Sequence, residues 1–226
     1  MGMPIIVDPG DSDVFDYFRY VDEKFSPFKQ NSEVTKVNDG RLKIESASAD
    51  MKLILKLSEK TKKETDGYFD VWHNGMFNPS GIVKGWAIFE ASKILDRKGI
   101  ESYYINAGGD IQTEGGKWTV GIRNPFKTNE NVKVVYLNGE GIATSGTYEK
   151  GNHIYNPKGK VGNKILSLTV IAKNVYEADR FATAAFAMGN NGINFIERQK
   201  DLEGYMIDAK GTATFTNGFH EYTKSG

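Results

Sequence analysis

The chain contains no cysteine. That absence excludes disulfides, thiolate zinc sites, iron–sulfur clusters and a cysteine nucleophile. Neither sign of charge is in surplus, because 29 Lys and Arg stand against 29 Asp and Glu. Nucleic-acid binding is driven by a basic excess, so no nucleic-acid partner is expected, and no electrostatic membrane patch. No stretch approaches the roughly 20 apolar residues of a transmembrane helix. The start, Met1-Gly2-Met3-Pro4-Ile5-Ile6-Val7-Asp8, has no basic region, and its apolar run is short for a signal peptide. As given, the chain is expected in the cytoplasm; a mature form working in the periplasm or outside the cell stays open.

What is present suits a folded core. Of 226 residues, 39% are hydrophobic, with 13 Phe and 11 Tyr. That length fits one large domain or one domain with a small appendage. No repeat, low-complexity tract or linker divides the chain, so a single domain over residues 1–226 is expected.

Four segments carry helical periodicity. In Asp13 to Phe25, Val14, Phe18, Val21 and Phe25 form one stripe, and Ser26-Pro27 stops it. Ala49 to Thr65 is expected to bury Leu53, Ile54 and Leu57, and to end at Asp66-Gly67. Ser80 to Arg97 turns Ile82, Val83, Trp86, Ala87, Ile94 and Leu95 inward and closes on Gly99 in a left-handed cap. Val175 to Met188 begins with a capping box of Asn174 and Glu177 and ends at Gly189. Between the third and fourth lie short strands at Tyr103 to Asn106, Trp118 to Ile122, Val132 to Leu137, Ile142 to Thr144 and Leu166 to Ala172. Gly204 to Thr216 reads as a closing hairpin with its turn at Asp208 to Gly211. Helices first, strands later and one more helix point to an α+β fold, with mixed or antiparallel sheets and flanking helices.

Five groups of residues are candidates for chemistry. Asp179 and Thr183 are four apart on a predicted helix and share a face, with small Ala182, Ala184, Ala185 and Ala187 around them. A carboxylate and a hydroxyl there suit a hard cation such as Mg²⁺; on spacing alone, a surface acid beside an ordinary Thr fits better. The turn Asn106-Ala107-Gly108-Gly109-Asp110 has tandem glycines that let backbone amides approach a phosphate, or it is a plain tight turn. Lys84, in the first turn of the third helix, runs against the helix dipole unless an anion such as a phosphate sits nearby. His153 follows the hydroxyl-rich Thr144-Ser145-Gly146-Thr147 and has the neutral-range chemistry of a general acid or base; taken alone, it reads better as a surface histidine in a hairpin, and His73 and His220 are read as surface histidines. Asp70, between Phe69 and Val71, is either a hydrogen-bond hub or a ligand contact.

Their order along the chain is more specific than any one of them. Phe25-Ser26 with Asn31-Ser32-Glu33-Val34 and Asn38, Thr65 to Val71, Ser80 to Ala87, Asn106 to Ile111, Thr144 to Gly146, His153 to Pro157 and Ala178 to Gly189 follow one another over nearly the whole chain. Together they resemble the FAD:protein FMN transferases, the ApbE-type family. The resemblance implies an α+β fold with one FAD-binding domain, FAD as donor substrate, Mg²⁺ as metal, and post-translational flavinylation of an acceptor protein on a Ser or Thr hydroxyl. It places the metal on Asp179, Thr183 and the backbone carbonyl of Gly81. It puts Asp70 at the flavin and lines the FAD pocket with Lys84, Asn106, Gly108, Gly109, Asp110, Ser145 and Gly146. It assigns His153, Lys84 and Asp179 to the transfer step.

Two positions depart from the family pattern. Asn78, in Asn78-Pro79-Ser80-Gly81, and Asn156, in His153-Ile154-Tyr155-Asn156-Pro157, stand where the family has Asp. Neither supplies a negative charge. The same site with water in place of the acceptor hydroxyl would be an FAD pyrophosphatase giving FMN and AMP, and without chemistry it would be an FAD carrier. The resemblance leaves the identity of the acceptor open.

Overall fold

Hydrophobic periodicity sets the boundaries of the long elements. The computed structural model describes residues 2–127, 129–147, 156–159 and 165–224. In chain order it contains β1 (Ile5–Asp8), α1 (Ser12–Phe25), α2 (Glu33–Asn38), α3 (Ala49–Glu64), β2 (Trp72–His73), β3 (Met76–Phe77) and α4 (Ser80–Arg97). Then come β4 (Tyr103–Ala107), β5 (Asp110–Glu114), β6 (Trp118–Arg123), β7 (Asn131–Leu137), β8 (Gly141–Gly146), β9 (Ile165–Ala172), α5 (Val175–Ala187), α6 (Gly192–Glu197), β10 (Leu202–Asp208) and β11 (Ala213–Phe215). Short 3₁₀ turns lie at Ile44–Ser46, Gly189–Asn191 and Asn217–Thr223.

One seven-stranded sheet runs β1-β4-β5-β8-β9-β10-β11, and each neighbouring pair is antiparallel. Two hairpins, β2–β3 and β6–β7, stand apart from it. The fold is α+β, as the order of elements predicts. No helix among the described residues is long and apolar enough to cross a membrane.

Three apolar clusters hold these parts. The first gathers α1, α3 and α4 around Trp86, whose ring meets Phe25 edge-on at 5.8 Å. The second lies between α5, α6 and the sheet, with Leu168, Val170, Phe181, Phe186 and Ile196. The third covers the other sheet face with β6–β7 and includes Ile122, Leu137, Ile171, Ile207 and Phe219. β9 is therefore covered on both faces, which is why Ile165–Ala172 shows little polar–apolar alternation.

Several local expectations need correction. Ile54 is buried as expected, but Leu53 is exposed and Leu57 half-buried; the buried residues of α3 are Met51, Ile54, Ser58 and Thr61. Two of those four are hydroxyl residues. They go inward because Ser58 Oγ and Thr61 Oγ1 donate to the carbonyls of Ile54 and Leu57 one turn back, at 2.7 and 2.8 Å. Half of the capping box at α5 forms: Asn174 Oδ1 accepts from the Glu177 amide at 2.9 Å, while the Glu177 carboxylate accepts from Arg180. Arg180, buried and stacked 4.1 Å over the Phe181 ring, also donates to Glu64 and so ties α5 to α3.

β1, β2, β3 and β5 have no counterpart among the predicted strands. β5 reads Asp-Ile-Gln-Thr-Glu, and its buried residues include Asp110, Gln112 and Thr113, so a search for apolar runs passes over it. Gln112 and Thr113 are satisfied by neighbouring backbone: Gln112 Oε1 accepts from the Val175 amide at 2.8 Å, and Thr113 Oγ1 donates to the Glu140 carbonyl at 2.8 Å.

Candidate active site

The site begins at the start of α4. Asn78 Oδ1 accepts from the Ser80 amide at 3.1 Å and from its hydroxyl at 2.6 Å. This Asx turn starts the helix without needing a carboxylate, which gives Asn78 a structural role.

From there α4 runs antiparallel against α5, and the contact is made by two residues four apart on each helix. A Cβ on Gly81 would lie 3.4 Å from Thr183 Cγ2 and from the Phe69 ring. A Cβ on Gly85 would lie 2.7 Å from Asp179 Cβ and 2.9 Å from the Val175 carbonyl oxygen. The absence of a side chain at Gly85 lets the Gly85 amide donate to Asp179 Oδ2 at 2.8 Å. In a regular helix that amide serves the Gly81 carbonyl; here Asp179 draws on it too.

The two glycines predict different outcomes. Alanine in a helix is favoured over glycine by about 1 kcal/mol, whereas overpacking a close contact costs about 1–3 kcal/mol. At Gly85 the obstacle is backbone and Cβ, so the clash wins. Gly85→Ala is expected to destabilise by about 2 kcal/mol and lower the melting temperature by about 4–8 °C. Gly81→Ala meets only ordinary contact and is expected to leave the melting temperature unchanged or slightly raised. Thermal denaturation of both variants checks the contrast.

Lys84 is the centre of the charged cluster. Its Nζ stands 2.5 Å from Asp110 Oδ2 and 3.5 Å from Asp179 Oδ1. The Lys84 side chain is 21% exposed, and those of Asp110 and Asp179 are 2% and 4% exposed. The anion that Lys84 calls for in the helix is thus supplied by two carboxylates from other elements. Asp110 begins β5, and its Oδ1 accepts from the Thr144 amide of β8 at 3.2 Å. Its Oδ2 has the Lys84 charge close by but no aligned hydrogen-bond donor.

Burial alone lowers the Lys84 pKa, but the two carboxylates outweigh it and hold the group above the ordinary lysine value. Lys84 is therefore protonated at neutral pH. Burial pushes the Asp179 carboxyl up; Lys84 opposes this, the Asp110 charge adds to it, and the net shift is upward. Two buried carboxylates facing one ammonium leave a charge of minus one when both are ionised.

The other sequence candidates lie on the elements around this cluster. The Asn106–Asp110 turn is a two-residue hairpin between β4 and β5, with Gly108 and Gly109 both at positive φ. Its amides are already engaged, since Gly108 N–H donates to the Pro4 carbonyl at 3.1 Å and Gly109 N–H to Asn106 Oδ1 at 3.0 Å. Gly108 has a packing reason to be glycine, because a Cβ there would sit 2.8 Å from Met3 Sδ; the open side of the turn is at Gly109. This corrects the idea of free amides waiting for a phosphate.

Ser145 is buried and Gly146 half-buried at the end of β8, just past the strand position that anchors Asp110. Asp70 accepts from the Trp72 amide at 2.9 Å and pairs with Lys62 at 2.7 Å, the contacts of a hydrogen-bond hub. His153 lies outside the described residues. Beyond it, Lys158 stacks 4.5 Å from the ring centre of Tyr68.

The donor set fits a magnesium-like ion. Among the described residues no group of three or more His, Cys, Asp or Glu gathers as a metal cage. Mg²⁺ does not need one: it takes one or two carboxylates and completes its shell with water and substrate phosphate. Asp179 Oδ1, the Thr183 hydroxyl and the Gly81 carbonyl are all oxygen donors, and two carboxylates facing one ammonium favour a further cation once both are ionised. Two surface hollows of about 360 and 270 Å³ lie elsewhere, one along α3, α5 and the start of β10 and one between α6 and the loop after α3, and none of the three cluster residues lines them.

The model of the ApbE family matches residues 72–206, a span that includes Gly81, Lys84, Asp110, Asp179 and Thr183. The chain belongs to the ApbE family. Among curated relatives of this ApbE-family chain, the FAD:protein FMN transferase of Escherichia coli (strain K12) is 30% identical over 148 residues, covering 58% of this chain and 42% of that protein. The FAD:protein FMN transferase of Vibrio cholerae is 29% identical over 162 residues, covering 65% and 47%. The chain spans about half the length of these relatives. The crystal structure of the ApbE protein of Thermotoga maritima superposes with a TM-score of 0.83 at 21% identity, covering 94% of this chain and 90% of that one. The flavin transferase ApbE of Vibrio cholerae gives 0.80 at 19% identity, with 98% and 96% covered. At these identities the structures establish the fold.

Proposed function

We propose that the chain is a Mg²⁺-dependent FAD:protein FMN transferase. The observation that carries this reading is the Lys84–Asp110–Asp179 cluster, two buried carboxylates facing one ammonium, set where α4 and α5 bring Gly81 beside Thr183. The family membership and the named activity of the relatives supply the substrate class.

In this reading Asp179, Thr183 and the Gly81 carbonyl hold the ion. When bound, Mg²⁺ neutralises charge developing on the FAD diphosphate and on the AMP leaving group. Lys84 directs a second positive charge at the diphosphate. The β4–β5 turn, Ser145 and Gly146 line the FAD pocket, and Asp70 borders the flavin. His153 takes the proton of the acceptor Ser or Thr hydroxyl. The hydroxyl oxygen attacks the phosphorus on the FMN side. A new phosphoester P–O bond forms, the bond to the bridging pyrophosphate oxygen breaks, and AMP leaves with that oxygen.

The test is incubation of the chain with FAD and Mg²⁺, with and without an acceptor that a known transferase modifies. Intact mass of the acceptor and free AMP are measured. An FMN-sized mass gain with equimolar AMP, lost on chelation, is the expected result. AMP and free FMN without a mass gain would make the protein an FAD pyrophosphatase. FAD binding without AMP would make it a carrier.

A further inference from the structure

Lys84 is not shared equally between its two carboxylates. Charge-assisted N–H···O bonds close at about 2.7–2.9 Å. At 2.5 Å the ammonium lies against Asp110, and at 3.5 Å it stands off Asp179 Oδ1. The asymmetry is built into the backbone. Asp179 is held by the Gly85 amide through Oδ2, and Asp110 by the Thr144 amide through Oδ1, so each carboxylate presents one fixed oxygen to Lys84. Asp110 itself is fixed by the hairpin, where it pairs with Ala107 across the two-residue turn.

A buried ammonium needs a counter-charge. Without Asp110, Asp179 is the carboxylate left within reach of Lys84. An ammonium resting on Asp179 Oδ1 would compete with a divalent cation for that oxygen, by occupancy and by repulsion. We infer that Asp110 is a positioning residue: it draws Lys84 away from Asp179 and keeps Asp179 Oδ1 available to the cation. Asp110 touches neither the cation nor the reacting phosphate in this role. The inference rests on the reading of Asp179 as a cation ligand.

The experiment is a double-mutant cycle read by cation affinity, without FAD and without turnover. Mn²⁺ binding to the full chain is titrated by electron paramagnetic resonance for the wild type, Asp110→Asn, Lys84→Met and the double variant, with circular dichroism to confirm that each is folded. Positioning predicts that Asp110→Asn weakens affinity at least about tenfold, that Lys84→Met tightens it by no more than about threefold, and that the double variant returns to near wild type. The two changes are then strongly non-additive.

Two outcomes would overturn the inference while leaving the metal reading intact. If Lys84→Met tightens binding by as much as Asp110→Asn weakens it, only net charge matters. If the double variant stays as weak as Asp110→Asn, Asp110 merely supports the fold. No saturable Mn²⁺ binding by the folded wild type would overturn the metal reading and this inference with it.

Discussion

Asp179→Asn is expected to lower cation-dependent FMN transfer by about a thousandfold or more, while the protein melts at or above the wild-type temperature. The first half follows from the proposed role of the carboxylate. A bound metal contributes several kcal/mol of transition-state charge stabilisation, and a thousandfold corresponds to about 4 kcal/mol. Asn keeps the shape of Asp179, but it has lost the charge that holds the ion. The second half follows from burial. Asp179 is held above its ordinary pKa because the site desolvates it, so its charge is a cost to the fold. Asn can still accept the Gly85 amide through its side-chain oxygen, and Lys84 keeps Asp110 as its partner. Asp179→Ala is a poorer test, because it removes an acceptor of the Gly85 amide and side-chain volume together with the charge. AMP release across a Mg²⁺ titration, alongside thermal denaturation, separates the two effects. Wild-type turnover by the Asn variant would sink the assignment of Asp179 to the metal.

Much of this arrangement is legible in the sequence, and the gaps have physical causes. The bounds of α4 and the start of α5 follow from signals local to each element, an apolar stripe between Pro79 and Gly99 and the Asn174 cap. The i,i+4 pairing of Asp179 and Thr183 follows from helix geometry alone, and the helix–helix contact confirms that both face α4. The meeting of Lys84 with Asp110 is not local. It depends on β5 lying beside β8 in the sheet, on α5 crossing α4 at Gly85, and on a polar strand that no apolar pattern reveals. Lys84, near the start of α4, was the available clue, since a lysine there runs against the helix dipole unless an anion lies nearby; that the anion is a pair of carboxylates is a tertiary fact. Gly108 shows the reverse case, where tandem glycines that suggest a ligand turn are partly explained by Met3 lying against one of them.

Lys84→Met carries the second large expected effect, and it separates stability from chemistry by pH. Removing the ammonium leaves Asp110 and Asp179 facing each other without a counter-charge, and breaking a buried ion pair in this way costs about 3–5 kcal/mol. For a chain of this length that is a fall of about 6–20 °C in melting temperature. The sign of the pH dependence follows from the carboxylates. Loss of Lys84 removes the charge that opposes the upward shift of Asp179, so the folded-state pKa of Asp179 rises further above that of the unfolded chain. Such groups stabilise the fold when protonated, and that contribution disappears as pH rises through the folded-state pKa. The deficit against wild type is therefore expected to be small near pH 5 and large at pH 8. Transfer behaves differently. Lys84 is proposed to stabilise charge on the diphosphate, and loss of one such preorganised group costs about a hundredfold or more in turnover. That loss should persist at any pH where the variant is folded, whereas cation affinity is retained. A variant that recovers full turnover once acidification has restored its stability would show that Lys84 serves the fold alone, and would remove it from the transfer step.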